Sequence, residues 1–181
     1  RLASVYSEQP VEVKREDGRI SIGCRTFDVS DPKFVLGVSF AIDPVAISSV
    51  KRPVRNVTFI GEIFNLTKEE NRTGDKFNLS FAIFDGDSSI FVKRYSMSAE
   101  DVAEVTSVIS NGMSVVVHGY TKAERNDETE LYMSYTDIAV VSSIGRKDNA
   151  PKKRVELHLH TNMSSMDALI PPDVAIKTAQ K

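Results

Sequence analysis

Phe77-Asn78-Leu79-Ser80-Phe81-Ala82-Ile83 alternates large apolar residues with small or polar ones, the period of a strand that buries one face. Asp85-Gly86-Asp87-Ser88 follows as a turn, and a second strand runs over 89–95. Upstream, 56–66 reads as a strand with Val57, Phe59 and Ile63 on one side and Ile60, Phe64 and Leu66 on the other. Gly61 sits in its middle, where glycine marks a bulge or a tight barrel bend. The loop 67–76, with Thr73-Gly74-Asp75, joins these two strands. Downstream, Ser98 is placed as a helix N-cap with Glu100 and Asp101 in the first turn. Val102, Val105, Val108 and Ile109 keep helical spacing, and Asn111-Gly112 supplies the stop. Strands over 113–120 and 131–141 close the pattern around a charged loop, 121–130.

Three meandering strands, one helix and two more strands are the element order of an OB-fold, a five-stranded Greek-key barrel with its helix between strands three and four. The fold class expected is therefore mainly β, with the barrel over 53–145. Residues 1–52 give a weaker pattern, read as an N-terminal β segment ending a preceding domain. In it, 10–15 and 19–23 form a hairpin around Asp17-Gly18, and the apolar stretch 34–47 is a candidate third strand. Residues 146–153 have linker composition, 154–159 read as another strand, and Pro172-Asp173-Val174 opens a helix.

Of the 181 residues, 41% are hydrophobic and 27% charged, the composition of a globular chain. No apolar run approaches ~20 residues, so no membrane partner is expected. The single cysteine, Cys24, forms no internal disulfide and favours a reducing, cytoplasmic setting. A first residue other than Met suggests a piece of a longer protein. The net charge of −2 is unevenly spread: 53–145 holds 8 basic and 14 acidic residues, 146–181 holds 7 and 4. An acidic main domain argues against tight autonomous binding of nucleic acid.

Two constellations carry chemistry. On the third barrel strand, Phe91, Lys93 and Tyr95 share one face, opposite Ile90 and Val92. Aromatic rings interleaved with a cation stack bases and neutralise phosphates. Arg94 near the strand end, with Arg72, Lys76 and Lys122 on the flanking loops, completes the candidate nucleic-acid set. The plainer alternative makes Phe91 and Tyr95 barrel core and lets Lys93 snorkel past them. Single-stranded DNA bound here is expected to be held weakly and salt-sensitively, because Glu69, Glu70, Asp75, Glu124 and Glu130 lie on the same loops.

The second constellation is His158 and His160, one residue apart on a strand and so on one face, with Asp167 on the loop beyond. Two imidazoles and a carboxylate suit zinc or manganese. The string His158-Leu159-His160-Thr161-Asn162-Met163-Ser164-Ser165-Met166-Asp167-Ala168 closely resembles the first motif of PHP (polymerase and histidinol phosphatase) domains. With Arg154-Val155-Glu156-Leu157 ahead of it, the stretch looks like PolC-type DNA polymerase III alpha subunits, in which an OB-fold domain directly precedes the PHP domain. That resemblance implies a replicative polymerase with a proofreading exonuclease, a nucleotidyltransferase of DNA replication. Residues 154–181 would then be the truncated first β-loop-α unit of a PHP (β/α) barrel. His158, His160 and Asp167 match three metal positions whose remaining ligands come from later strands, so the metal site here is expected to be incomplete or empty and the piece not catalytic. Partners so implied are single-stranded DNA, other polymerase domains and replisome proteins. A PHP-type phosphoesterase with an OB appendage and a protein-interaction OB module are the rival readings. No nucleotide-binding P-loop, nucleophile elbow or dinucleotide fingerprint occurs, and no cluster of Asp fit for two-metal chemistry.

Overall fold

A computed structural model of the chain describes residues 11–71, 74–124, 130–145, 151, 159–163 and 168–179. It divides into two compact units, 1–144 and 145–181. Among the described residues no helix is long and apolar enough to cross a membrane.

The first unit is mainly β, one sheet of eight strands. β1 (Val13–Glu16) and β2 (Arg19–Ile22) are the expected hairpin, turning on Asp17 and Gly18 at φ 44° and 75°. β3 is Arg25–Leu36, not the apolar stretch 34–47. It pairs with β2 along one edge and with β8 (Leu131–Ile144) along the other. The register with β8 shifts between Asp28 and Lys33, which accommodates Pro32, a residue without an N–H to give a ladder. Ile47, placed in that strand by its apolarity, instead opens a short 3-10 turn, Ile47–Ser49. The boundary expected at residue 52 falls inside this unit, because β3 runs on into the sheet.

β4 (Val57–Glu70), β5 (Phe77–Phe84), β6 (Ser89–Met97), β7 (Ser114–Ala123) and β8 close a ring. β4 pairs with β5 and β7, β5 with β6, and β7 with β8, all antiparallel; β6 meets β8 in parallel from Phe91↔Tyr132 to Lys93↔Ser134. Inside lies a core that includes Phe59, Leu79, Phe81, Ile83, Val92, Val115, Val117, Met133 and Tyr135. α1 (Ala99–Val108) adds Val102, Val105 and the following Ile109 to it. The helix begins as anticipated, with Ser98 Oγ accepting from the Asp101 N–H at 3.0 Å.

A second cluster lies against the opposite faces of β4, β7 and β8. Ile60, Val116 and Val141 pack there with Ile20, Ile22, Phe27 and Ala46. β4 and β7 therefore bury both faces over part of their length, which is why Phe59-Ile60 and Val115-Val116-Val117 read as unbroken apolar runs. Leu66 departs from the alternation. Asn65 takes φ 54° and the β4–β5 register shifts between Phe64 and Thr67, so Leu66 turns back against the inner core. In the second unit, α2 (Pro172–Ala179) starts at Pro172 as expected and carries an Asp173–Lys177 pair at 3.4 Å.

Candidate nucleic-acid interface

Strand pairing aligns two outward rows across the ring. One runs Phe64–Ala82–Phe91–Tyr132–Lys122 over β4, β5, β6, β8 and β7. The other runs Thr67–Ser80–Lys93–Ser134–Tyr120 over the same strands. Ile90 and Val92 point inward and are 7% and 0% exposed, whereas Phe91 and Tyr95 stand 52% and 54% exposed. Phe91 and Tyr95 are thus surface rings and not barrel core. Phe64 and Phe91 flank a shallow groove of about 350 Å³ floored by Ala82, with Glu130 and Leu131 on its rim.

Lys93 sits half-buried at the centre of this face. Its Nζ lies 4.9 Å from the Tyr132 ring centre and 5.6 Å from that of Phe91. It is also paired with the Glu124 carboxylate, from the end of β7. Burial is the largest single influence and opposes the lysine's charge, but the hydrogen bond and the charge of Glu124, with smaller contributions from Tyr95 and Tyr132, together outweigh it and hold the Lys93 pKa above the ordinary lysine value. On β7, across β8 from Lys93, Lys122 Nζ lies 4.9 Å over the Tyr120 ring. The Tyr120 hydroxyl is bonded to Ser134, which lowers its pKa against burial, with help from Lys122.

The other anticipated cations divide. Arg94 turns away from the Phe91 face: its guanidinium donates to the Thr136 carbonyl at 3.1 Å and covers the Tyr135 ring at 5.5 Å. Lys76 is exposed beside β5, and Lys122 belongs to the row. Arg72 lies outside the described residues, as do His158 and Asp167. Of the histidine pair only His160 is described, half-buried in the second unit. Among the described residues no three metal-ligating side chains converge.

Sequence reading missed Tyr132, Tyr120 and Phe64 as members of this surface and Glu124 as the partner of Lys93. Tyr132 and Ser134 do alternate along β8, but only the parallel β6–β8 pairing sets them beside Phe91 and Lys93.

No protein-family model matches the chain. It is 34% identical over 178 residues to a PolC-type DNA polymerase III of Halalkalibacterium halodurans, covering 96% of this chain and 11% of that protein. This chain resembles part of a PolC-type DNA polymerase III. The same likeness holds for the PolC-type polymerase of Lacticaseibacillus paracasei, 36% identical over 99% of this chain and 12% of that protein. In Bacillus cereus the PolC-type relative is 37% identical over 70% of this chain and 9% of its own length. The chain thus spans about a tenth of the curated relatives it matches.

Proposed function

We propose that the β4–β8 ring is an OB-type barrel of a cytoplasmic, PolC-type replicative polymerase, and that its Phe91–Lys93–Tyr132 face holds single-stranded DNA. The carrying observation is the outward aromatic row with a lysine among its rings, since every base offers a face to stack. The pairing order supports the barrel assignment, with α1 between its third and fourth strands. In this reading polymerisation and proofreading belong to the rest of such a protein. The chain contributes strand contact and the first metal-ligand motif of a PHP domain.

A labelled oligothymidylate titrated with the chain at low salt, read by fluorescence anisotropy, tests the face. Phe91→Ala with Lys93→Ala should weaken binding about 10- to 100-fold, as expected for one stacked base and one phosphate contact. Unchanged binding by the double variant removes this face from the argument.

Glu124 makes a second reading concrete, because a carboxylate already occupies Lys93. In an interaction module for replisome proteins, that pair would be part of a protein-docking surface. On the DNA reading, Glu124 is displaced by a phosphate, so Glu124→Gln should tighten oligonucleotide binding several-fold. The slope of log K against log salt should change little, because Lys93 meets one phosphate in both chains. Looser binding by Glu124→Gln would favour the protein-docking reading.

For the metal motif, His158, His160 and Asp167 supply donors suited to zinc or manganese, in a set that needs further ligands. Elemental analysis of the dialysed chain should find neither metal at stoichiometric level. Tight retention of one zinc per chain would show that these residues suffice.

A further inference from the structure

We propose a second subsite on the same strand path, formed by Lys51, Arg52 and Arg55 together with Lys122 and Tyr120, that holds backbone phosphates as the strand leaves the barrel over β7. The proposal rests on the platform reading above and extends it to cations that no part of that reading uses.

The geometry starts at the end of the first row. Lys122 is its last member, and beyond β7 the sheet continues through the residues that precede β4. Val54 accepts from the Thr121 N–H at 2.8 Å through its carbonyl, and its own N–H donates to Thr121 Oγ1 at 2.9 Å. These two bonds pin 53–55 beside β7 at the level of Tyr120 and Lys122. Pro53, Val54, Arg55, Tyr120, Thr121 and Lys122 line one open groove of about 530 Å³. Pro53 stiffens the backbone there, which lowers the entropy lost on binding.

Charge selects the occupant. Lys51, Arg52 and Arg55 are all exposed, and among the described residues no carboxylate pairs with any of them. Among the described residues no acidic one lines the groove, in contrast with Glu124 and Glu130 on the platform. Arg55 and Lys122 line this groove beside Tyr120, Arg52 and Lys51 come just before it in the chain, and these four cations match a run of phosphates better than an uncharged partner. Neighbouring strands lie about 4.8 Å apart, so the row from Phe64 to Lys122 runs roughly 20 Å around the closed ring, and the 53–55 segment lies one strand's width further round, ahead of β4. That length suits several nucleotides, within the range of about 4–16 for one barrel. The acidic main body and the basic groove would then divide labour: bases stack on the platform, and phosphates are held at its edge.

The test uses the whole chain and two oligothymidylates, about 4 and about 12 nucleotides long, near the two ends of that range. The variant is Lys51→Ser with Arg52→Ser and Arg55→Ser. The long oligonucleotide should lose on the order of tenfold or more in affinity, and its salt slope should fall by about 2, three contacts at ~0.7 each. The short one should bind the variant as it binds the native chain. Arg52→Lys with Arg55→Lys, which keeps both charges, should retain most of the long-strand affinity. Equal loss for both lengths, or loss for neither, overturns the subsite while leaving the platform standing if Phe91→Ala still weakens both. If the native chain binds neither oligonucleotide, platform and subsite fall together. Poly-glutamate competing as well as the long oligonucleotide would also overturn it, marking the patch as a site for acidic protein.

Discussion

Asp85→Ala should cost the first unit about 3–5 kcal/mol, the scale set when a buried charged acceptor is removed from several donors at once. The Asp85 side chain is fully buried. One oxygen accepts from the N–H groups of Asp87 and Ser88 at 2.9 and 2.8 Å, which builds the β5–β6 turn. The other accepts from the Ile47 N–H at 2.8 Å. That last bond ties the turn to the 3-10 segment that leads into β4, 38 residues earlier. Alanine would leave three donors without an acceptor. In a chain of this size the melting midpoint should fall on the order of 10 °C, read by circular dichroism. Asp85→Asn should fall between, because one of its two positions becomes a donor facing an N–H. A midpoint unchanged by Asp85→Ala would show that water replaces the carboxylate freely.

That residue also shows where reading the chain stops. Asp85-Gly86 is legible as a turn from composition alone, but the contact with Ile47 depends on a fold that brings 47 and 85 together. The barrel strands were legible because each has one face inside a core, so apolar residues return every second position from Leu79 to Ile83 and from Ile90 to Val92. Ser98 was legible because a cap is a local hydrogen bond. β3 was not. It carries Asp28, Asp31 and Pro32 and buries only Phe27 fully, so its local pattern is weaker than the apolar stretch after it. Its place is set by ladder bonds to β8, more than 100 residues away. Leu66 was assigned to the wrong side for a similar reason: the reversal needs one residue, Asn65, at positive φ, which no periodicity reports.

The candidate site divides along the same line. Alternation suffices to put Phe91, Lys93 and Tyr95 on the face opposite the buried Ile90 and Val92, but the exposure of both rings is set by the fold, since β4 and β7 bury both of their faces. The partners of Lys93 come from elsewhere, Glu124 by a salt bridge across 31 residues and Tyr132 by a parallel pairing. Arg94 carries the right charge one residue along, yet a strand reverses direction at every residue, and it serves Tyr135 instead.

Gly119→Ala should disturb barrel and platform together. A Cβ at this position would lie 2.3 Å from the Ser134 carbonyl oxygen and 2.9 Å from the Tyr135 Cα. Both atoms are backbone of β8, so no side-chain rotation relieves the overlap. The β7–β8 register already shifts between His118 and Gly119, and the glycine lets the two backbones close there. Separating them costs about 1–3 kcal/mol, the usual scale of overpacking, and the carbonyl that must move belongs to the residue bonded to Tyr120. Tyr132 and Ser134 would shift against Phe91 and Lys93 on the other side of β8. A folded Gly119→Ala chain should therefore bind oligothymidylate more weakly than the native chain at temperatures well below its lowered midpoint. Gly145→Ala is the matched control, since among the described residues its Cβ would meet nothing within 4 Å. If Gly119→Ala lowers the midpoint and leaves binding intact, the strand path does not depend on how β7 and β8 are set against each other, and the row through Tyr132 and Lys122 is not the surface that DNA follows.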